Sequence, residues 1–346
     1  MSDGVGARRA VPLLFSMAKI LSGTDPQAIH AAATALRSGE IVAFPTETVY
    51  GLGADALNEK AVAQVFAVKN RPRFDPFIVH VPDQEAASLY ATDVDDRARA
   101  LMERFWPGPL TLVLRKHPLI PDLVTAGRDT VALRVPAHPI ALALLHAANV
   151  PIAAPSANPF GYVSPTTALH VQDLLGDAIE LILDGGPCLV GVESTVCALT
   201  DETALVLRPG GVTLEEIAAV IGPVKIASSS QADARSPGTL PSHYAPRVPL
   251  LLLATGIEIP CPLPEERVGL LLLQPRANIE GYAVVEVLSQ NGDLIEAAAH
   301  LFAALRWFDT LGLERVVVES VPEHGIGRAI MDRLRRATAP TPRAGN

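Results

Sequence analysis

One stretch of sequence decides how the first half of the chain folds: Ile41-Val42-Ala43-Phe44-Pro45-Thr46-Glu47-Thr48-Val49-Tyr50-Gly51-Leu52-Gly53. Its leading apolar residues predict a buried strand, which Pro45 ends. The loop that follows carries hydroxyl groups and two glycines, and glycine lets a backbone approach a ligand closely. Because turns are commonly rich in threonine and glycine, this loop alone favours an ordinary strand exit over a binding site.

Helical and extended patterns alternate on both sides of this loop. An alanine-rich helix is predicted over residues 26–38, and a second helix begins after the N-cap Asn58 and runs to Val68. Further strands are predicted at 77–81, 110–114, 130–135, 151–154, 179–183, 195–199 and 204–207, and further helices at 95–105, 139–147, 167–175 and 214–221. Thr213 and Glu216 have the spacing of a capping box. Many strands with fewer helices predict a mixed sheet.

The second half of the chain has the pattern of a smaller domain. Strands predicted at 250–253, 268–273, 283–288 and 315–319 alternate with a helix after Asp293 and a terminal helix from Gly327, which predicts a Rossmann-like α/β domain. Because 346 residues exceed what one core usually organises, two domains are favoured over one large barrel. The segment between them is rich in Ser, Pro and Gly and predicts a linker. The predicted division is an N-terminal extension (1–24), a first domain (25–221), the linker (222–247) and the Rossmann-like domain (248–346).

Composition excludes several classes of protein. With 49% hydrophobic and 19% charged residues the chain is globular, and a net charge of -9 disfavours a surface that wraps nucleic acid. The three cysteines, Cys188, Cys197 and Cys261, are odd in number and lack Cys-x-x-Cys spacing, so neither a disulfide framework nor a zinc site is expected, and all three are predicted to be small buried hydrophobes. No apolar run approaches the roughly 18 residues that span a bilayer, and a reducing cytoplasm fits best.

The segment Lys69-Asn70-Arg71-Pro72-Arg73 places three cations within five residues at a predicted helix end. Unpartnered like charges repel, and a polyphosphate would supply the missing negative charge. A solvated helix end is the alternative, and this segment alone does not decide between them. A third candidate is Ala154-Pro155-Ser156-Ala157-Asn158, which places a hydroxyl and an amide just beyond a predicted strand, where open α/β sheets gather ligand groups.

Two features near the C-terminus favour structural roles. Arg333, Arg335 and Arg336 suit the negative end of the terminal helix dipole, which we prefer to ligand binding. The segment Gly325-Ile326-Gly327 lacks Gly or Ala at Ile330 and therefore misses the dinucleotide fingerprint, so helix packing is the preferred interpretation.

Taken together, the three candidate segments resemble the signature of the YrdC-like family of threonylcarbamoyl-AMP synthases. The match consists of Lys-x-Arg at 69 and 71, Ser-x-Asn at 156 and 158, and the run from 45 to 53. The resemblance continues through Trp106-Pro107-Gly108-Pro109-Leu110-Thr111, Arg134-Val135-Pro136, Glu193-Ser194-Thr195-Val196, Arg208-Pro209-Gly210 and His243-Tyr244-Ala245-Pro246. It implies an α/β fold of the long form: a twisted mixed β-sheet domain flanked by helices, a long linker that covers the active site, and the small C-terminal Rossmann-like domain.

The resemblance also implies an activity. Family members join ATP, L-threonine and bicarbonate or CO2 and release pyrophosphate, as nucleotidyltransferases that use Mg2+ with ATP. Their product feeds the threonylcarbamoyl modification of adenosine 37 in tRNA through a downstream transferase complex. We therefore expect a cytoplasmic enzyme that forms no stable complex with nucleic acid and does not bind a membrane.

Site residues follow from the resemblance position by position. Lys69 and Arg71 are implied to be catalytic by stabilising charge on the phosphates. The residues implied to bind threonine are Thr48, His80, Arg134, Ala154 and Ser194. The residues implied to bind ATP are Arg71, Asp75, Thr130, Ser156, Asn158, Ser164, Arg208 and, from the linker, Tyr244. Asp75 stands where family members often carry Asn, and no residue is assigned to the metal.

Other interpretations of the same residues remain open. His80 would also suit an apolar core, and Thr130 would also suit the start of a strand. A tRNA or double-stranded RNA module would place residues 69–73 against backbone phosphates, although the acidic composition opposes it. A carbamoyltransferase that uses carbamoyl phosphate, like the YrdC-like domains of hydrogenase maturation factors, would be expected to carry zinc-finger and acylphosphatase-like segments, which this sequence lacks.

Overall fold

The structure is a computed structural model that describes residues 17–227 and 243–339. Sequence predictions that fall on residues 1–16, 228–242 and 340–346, including most of the predicted linker, lie outside the described residues.

The two described ranges contain ten helices and sixteen strands. The helices are Pro26–Arg37 (α1), Glu59–Lys69 (α2), Gln84–Ala87 (α3), Asp96–Phe105 (α4), Asp122–Thr125 (α5), Pro139–Ala148 (α6), Ala168–Leu175 (α7), Leu214–Ile221 (α8), Leu294–Phe308 (α9) and Gly327–Thr338 (α10). The strands are Lys19–Ser22 (β1), Val42–Phe44 (β2), Gly51–Asp55 (β3), Ile78–His80 (β4), Ala91–Thr92 (β5), Leu110–Lys116 (β6), Thr130–Arg134 (β7), Ile152–Ala153 (β8), Leu181–Asp184 (β9), Thr195–Ala198 (β10), Ala204–Arg208 (β11), Val224–Ile226 (β12), Leu250–Leu252 (β13), Val268–Leu272 (β14), Val284–Val287 (β15) and Arg315–Val318 (β16).

The first twelve strands form one mixed sheet, as the sequence predicts. Their order is β1-β9-β2-β3-β8-β4-β7-β6-β10-β11-β12, with β5 paired to β6 outside this path. Parallel and antiparallel pairs alternate irregularly along it, for instance β4 with β7 parallel and β7 with β6 antiparallel. The helices begin where side-chain caps were expected: Asn58 accepts hydrogen bonds at the start of α2, and Thr213 and Glu216 form the capping box of α8.

The last four strands form a separate parallel sheet, in the order β13-β16-β14-β15. Strand β14 lies in its interior and is buried along its whole length, as expected for a parallel sheet that is covered on both faces. Helix α9 buries an apolar face that includes Leu301, Phe302 and Leu305. The small Rossmann-like fold predicted from the sequence is therefore confirmed.

Four strands lie where the sequence predicted none: β1, β3, the two-residue β5, and β12, which falls within the predicted linker. Residues 19–22, within the predicted N-terminal extension, form β1 and pair in parallel with β9. Residues 51–55, the end of the predicted loop, form β3 between β2 and β8. The glycines of β3 have weak strand propensity, but pairing on both sides holds the backbone extended.

Loops of the first part of the chain pack closely against helix α9 of the second part. One apolar cluster contains Val163 and Val192 from the first part of the chain together with Leu301 and Phe302 from α9. At Gly191, whose φ is +72°, an added Cβ would lie 2.4 Å from the carbonyl oxygen of Ala298. The loop that leads into β10 therefore touches the backbone of α9, and only glycine fits at the contact.

Two further predictions concern the burial of the cysteines and the presence of membrane-spanning segments. Cys188 and Cys197 are buried as predicted, whereas the prediction for Cys261 was wrong, because this residue lies exposed in the loop between β13 and β14. None of the helices within residues 17–227 and 243–339 has both the length and the apolar character needed to cross a membrane.

Candidate active site

A small cleft lies over the centre of the large sheet. The sequence-predicted residues that line it are Thr48, Arg71, His80, Arg134, Ala154, Ser156, Ser194, Arg208 and Tyr244. They come from segments that are far apart in the sequence. The fold therefore brings most of the candidate residues to one place.

Strand register places two of these side chains next to each other. His80 ends β4 and pairs with Arg134 at the end of the parallel strand β7, so both lie at the carboxyl ends of neighbouring strands. Ser194 directly precedes β10, and its hydroxyl lies 2.8 Å from the hydroxyl of Thr111 in β6. The carboxyl ends of β4 and β7 thus meet the amino end of β10 at one edge of the cleft, which is where α/β sheets place ligand-binding groups.

Arg134 is buried and held from three directions. Its Nη2 lies 2.7 Å from the Glu47 carboxylate, its Nη1 donates to the Thr48 hydroxyl at 3.0 Å, and its Nε donates to the Gly108 carbonyl at 3.2 Å. A guanidinium has five N–H donors, so donors remain for a further acceptor. Arg134 lines the cleft while Glu47 does not, so the cleft meets the cation of this pair.

His80 is a neutral group at this end of the cleft. Burial, followed by the positive charge of Arg134, lowers its pKa to about 3. Its Nδ1 has no hydrogen-bond partner among the described residues, although the side chain is buried. Because the ring lines the cleft, the binding alternative is favoured over a purely structural core histidine.

The predicted cluster of three cations divides in the structure. Lys69 and Arg71 are buried, whereas Arg73 is exposed, because Asn70 ends α2 with a φ of +50° and turns the chain. The ammonium of Lys69 donates to the carbonyl oxygens of Ser156, at 2.6 Å, and of Asn158. The Lys-x-Arg and Ser-x-Asn segments therefore contact each other directly.

Burial leaves these two cations poorly solvated. The pKa of Lys69 is held well below its usual value, first by burial and then by the nearby charge of Arg71. Arg71 is paired with Asp75 at 2.8 Å, and it donates to the carbonyl of Pro76 at 2.9 Å. Asp75 thus neutralises Arg71 from behind the cleft wall.

Five predicted residues do not line the cleft: Lys69 and Asp75, described above, and Asn158, Ser164 and Thr130. The amide of Asn158 donates to the carbonyls of Pro159 and Tyr162, so it shapes the loop. Ser164 donates to a carboxylate oxygen of Glu193 at 2.6 Å and so lies behind that residue. Thr130 begins β7, four residues before Arg134 and hence about 13 Å away along the strand, so the structure does not bring it to this cleft.

The prediction for Arg333 was wrong. Its side chain is fully buried, and its Nε lies 2.9 Å from the Glu193 carboxylate. Along α10 it shares the inward face with Ile330 and Leu334, because residues three and four apart lie on one side of a helix. Arg335, by contrast, is exposed and paired with Glu323, as the dipole interpretation expects.

The end of the predicted linker closes one side of the cleft. Tyr244 has a φ of +63°, and its buried ring stacks on Phe302 of α9 with centroids 5.6 Å apart. His243 is also buried, and burial together with the positive charges of Arg71, Lys69, Arg208 and Arg333 holds its pKa well below the usual value. Cations thus converge at this end of the cleft.

Comparison with known proteins places the chain. A family model for the Sua5, YciO and YrdC proteins, described as "Telomere recombination", matches residues 34–210, and a model described as "Threonylcarbamoyl-AMP synthase, C-terminal domain" matches residues 212–339. The chain belongs to the threonylcarbamoyl-AMP synthase family, in its long form. It is therefore an enzyme of the nucleotidyltransferase type.

Similar threonylcarbamoyl-AMP synthases come from distant organisms. The Bacillus subtilis protein is 44% identical over 327 residues, which are 92% of this chain and 94% of that protein. The Pyrococcus abyssi protein is 42% identical over 322 residues, 90% of this chain and 94% of that protein. A crystal structure of P. abyssi Sua5 complexed with L-threonine is 40% identical, with a TM-score of 0.82 over 91% of this chain and 95% of that one.

Sequence reasoning missed the carboxylate partners within this threonylcarbamoyl-AMP synthase fold. Glu47 and Glu193 stood inside the motifs that carried the resemblance, yet neither received a role. Their charge is the signal that could have identified them. An acidic residue within an otherwise neutral, apolar motif is buried with its neighbours and needs a cation as its partner. The sequence does not reveal which cation, because Arg134 and Arg333 lie 87 and 140 residues away.

Proposed function

We propose that this chain makes L-threonylcarbamoyl-AMP and pyrophosphate from ATP, L-threonine and bicarbonate or CO2, for the threonylcarbamoyl modification of adenosine 37 in tRNA. One observation carries the proposal: a single cleft is lined both by hydroxyls beside Arg134 and by two further buried arginines, Arg71 and Arg208. An amino acid suits the first set of groups and a triphosphate suits the second. The relatives named for this activity, and the threonine complex of the P. abyssi protein, support the same assignment.

At the first end, Arg134 would bind the threonine carboxylate through its remaining N–H donors. The hydroxyls of Thr48 and Ser194 and the backbone of Ala154 would complete the contacts, since all line the same cleft as Arg134. A neutral His80 suits this place, because a second positive charge would repel the threonine ammonium.

At the second end, Lys69, Arg71 and Arg208 would hold the triphosphate. They are buried, and charge acts more strongly on a ligand where water is excluded. Ser156 and Tyr244 line this end, while Asp75, Asn158 and Ser164 would act from behind it. Thr130 stays a prediction for the ATP side.

The reaction would need positioning rather than a covalent enzyme intermediate. The free amine of threonine adds to CO2 and forms a carbamate, with loss of one proton. A carbamate oxygen then attacks the α-phosphorus, the bond from phosphorus to the bridging oxygen breaks, and pyrophosphate leaves with that electron pair. Lys69 and Arg71 would stabilise the negative charge that gathers on the phosphate oxygens.

Magnesium would enter with the nucleotide. Within residues 17–227 and 243–339 no three His, Cys, Asp or Glu side chains come together as an ion site. The carboxylates nearest the cations, Asp75 and Glu193, are both engaged by arginines. The described residues therefore provide no metal cage, which is consistent with Mg2+ held mainly by phosphate oxygens and water, where it would neutralise phosphate charge.

The remaining expectations follow from the same proposal. Product would pass to a downstream tRNA threonylcarbamoyl-transferase complex in the cytoplasm. A net charge of -9 disfavours stable binding of tRNA by this chain. An RNA-binding module is disfavoured further, because Lys69 and Arg71 are buried and so do not form a basic surface.

The decisive assay supplies the purified chain with ATP, Mg2+, bicarbonate and labelled L-threonine. We expect pyrophosphate and a labelled adenylate in equal amounts, and neither product when threonine is omitted. Carbamoyl phosphate replaces threonine and bicarbonate in a parallel reaction that tests the carbamoyltransferase alternative. Pyrophosphate release that does not depend on threonine would refute the proposal.

A further inference from the structure

Arg333 belongs to the C-terminal half of the chain but reaches the catalytic half. It lies on α10, in the region matched by the C-terminal family model, whereas its partner Glu193 lies in the region matched by the other model. Glu193 lines the cleft and Arg333 stands directly behind it. One charged pair therefore joins the second sheet to the wall of the cleft.

The guanidinium of Arg333 makes contacts in several directions. Besides the bond to Glu193, its Nη1 donates to the carbonyl of Pro209 at 2.9 Å and to the carboxylate of Asp332 at 2.7 Å. Its face lies 5.1 Å from the centre of the Tyr244 ring. Only a planar group with several donors can hold all four neighbours at once.

Glu193 depends on this partner because it is buried and charged. Burial alone raises the pKa of its carboxyl, but the charges of Arg333 and then Arg208 outweigh burial and leave that pKa lowered. The carboxylate oxygen that does not face Arg333 accepts from Ser164 at 2.6 Å. The carboxylate is thus ionised and fixed on both oxygens.

A carboxylate in this place would repel a triphosphate unless it were neutralised. Besides Arg333, the cations whose charge acts on Glu193 are Lys69 and Arg208, and the proposed function assigns both of them to ATP. Without Arg333, Lys69 and Arg208 would have to neutralise Glu193, a buried negative charge in the wall that faces the phosphates, and they would be less available to ATP.

We propose that Arg333 is a positioning residue for ATP: it neutralises Glu193 and fixes Glu193 and Tyr244 at the nucleotide end of the cleft. This inference rests on the proposed function in so far as the ligand there is a nucleoside triphosphate. It gives the C-terminal sheet a direct part in nucleotide binding. A purely structural brace between the sheets would instead affect both substrates equally.

The first experiment measures the Kd for a non-hydrolysable ATP analogue by calorimetry, and the KM values for ATP and threonine, in Arg333→Met and Arg333→Lys. We expect Arg333→Met to weaken nucleotide binding about tenfold or more, with KM for threonine changed less than about twofold. Arg333→Lys should recover part of the loss, since it restores charge but not geometry. Arg335→Met, from the exposed turn of the same helix, is the control and should match the unmodified chain.

The second experiment combines Arg333→Met with Glu193→Gln. If Glu193 repels the triphosphate in the single variant, removing its charge should bring the Kd for the analogue back toward the original value. The double variant also keeps the test open if Arg333→Met alone folds poorly, because it leaves no unpaired buried charge.

The outcomes separate the two proposals. Nucleotide affinity that is unchanged in Arg333→Met, or KM values for ATP and threonine that rise together, would overturn the role of Arg333 while leaving the proposed function intact. An unmodified chain that binds the analogue but forms no threonine-dependent pyrophosphate would overturn the proposed function, and the Kd values would still decide the role of Arg333. No binding of the analogue by the unmodified chain would overturn both.

Discussion

The cleft is flanked by two buried arginine–glutamate pairs that have the same chemistry and opposite orientations. Glu47 and Arg134 approach to 2.7 Å, and Glu193 and Arg333 approach to 2.9 Å. In the first pair the arginine lines the cleft and the glutamate stands behind it. In the second pair the glutamate lines the cleft and the arginine stands behind it.

A buried ion pair therefore has an orientation relative to the cleft that it flanks. Its net charge is near zero, but a ligand meets whichever partner faces the cleft. In the Arg134 pair, the cation faces the place proposed for the threonine carboxylate. In the Arg333 pair, the group that faces the cleft is a carboxylate, and Arg333 neutralises its charge from behind. The first pair is local to one sheet, and the second spans both sheets. Four predictions test how far this contrast extends.

The largest effect is expected at the pair that presents its cation. Arg134→Met leaves Glu47 buried without a partner and should cost about 3 to 5 kcal/mol in the free energy of unfolding. The double variant Arg134→Met with Glu47→Gln should regain most of this stability, as measured by urea denaturation. It should not regain threonine-dependent pyrophosphate release, because the group that faces the carboxylate is still absent.

The contrast with the other pair is the informative result. In the double variant of Arg333 and Glu193 the ligand affinity should return, whereas here only stability should return. The control is Arg115→Met, which breaks the exposed pair between Arg115 on β6 and Asp129. It should lower the free energy of unfolding by at most about 1 kcal/mol. If the double variant recovered threonine turnover, the activity would not depend on Arg134 being the partner that faces the cleft.

A smaller effect is expected from disturbing only the second pair through its helix. A Cβ at Gly327 would lie 2.0 Å from the carbonyl oxygen of Pro322, so Gly327→Ala must shift the start of α10. We expect a loss of about 1 to 3 kcal/mol in thermal or chemical unfolding, together with a higher KM for ATP, because Arg333 lies on the same helix. An unchanged KM for threonine would mark the effect as specific to the second pair.

The neighbouring Arg328 supplies the matched control for that variant. Its half-exposed side chain pairs with Glu215, so Arg328→Ala should cost at most about 1 kcal/mol and leave both KM values unchanged. Equal effects from the two substitutions would indicate that the start of α10 tolerates displacement.

The third prediction is that stability depends on pH, because two buried histidines, His80 and His243, line the cleft. The pKa of His80 is lowered to about 3 and that of His243 is also held well below 6.5, each by burial and by nearby cations. Between these values and about 6.5 the unfolded chain binds more protons than the folded chain, so stability is full above pH 6.5 and is lost as the pH falls. Each histidine should contribute a slope of about 1.4 kcal/mol per pH unit.

Urea unfolding at pH 7.5 and at pH 5.5 measures this loss. His80→Asn and His243→Asn should each reduce the difference between the two pH values, and the exposed His30→Asn should leave it unchanged. If neither cleft variant reduces the difference, other groups cause the acid sensitivity.

The smallest effect is expected at Asp75, which neutralises Arg71. Asp75→Asn removes one negative charge from the nucleotide end but keeps the backbone carbonyls to which Arg71 donates. KM for ATP should fall or change by less than about threefold, since the Arg71 charge becomes more available to phosphate. A tenfold rise in initial-rate measurements would instead show that the Asp75 carboxylate is needed to orient Arg71, and Asp129→Asn on the surface controls for loss of charge alone.

Much of the fold could be predicted from local sequence. Apolar runs of strand length identified most buried strands, and side-chain caps such as Asn58 and the capping box of Thr213 fixed the starts of helices. Strand β3 could not be predicted, because its glycines oppose a strand and only its two neighbours hold it extended. The edge strand β1 likewise depends on its partner β9.

For the candidate site, motifs predicted which segments meet but not how charges pair. The resemblance brought Lys69, Arg71 and Ser156 together: Arg71 and Ser156 line one cleft, and Lys69 donates to the backbone of Ser156. Arg333 was assigned to a helix end, because three nearby arginines look alike in sequence. Burial of one of them depends on a carboxylate 140 residues away, and no local pattern carries that information.

The contact at Gly191 sets a tolerance for the whole molecule. Two residues after it the chain reaches Glu193, and on its other side lies the backbone of α9. The loop and the helix therefore meet with no room for a methyl group between them. A displacement of α9 by an atomic diameter would therefore also displace this loop. Because the loop carries Glu193, the wall of the cleft that meets the substrates would move with it.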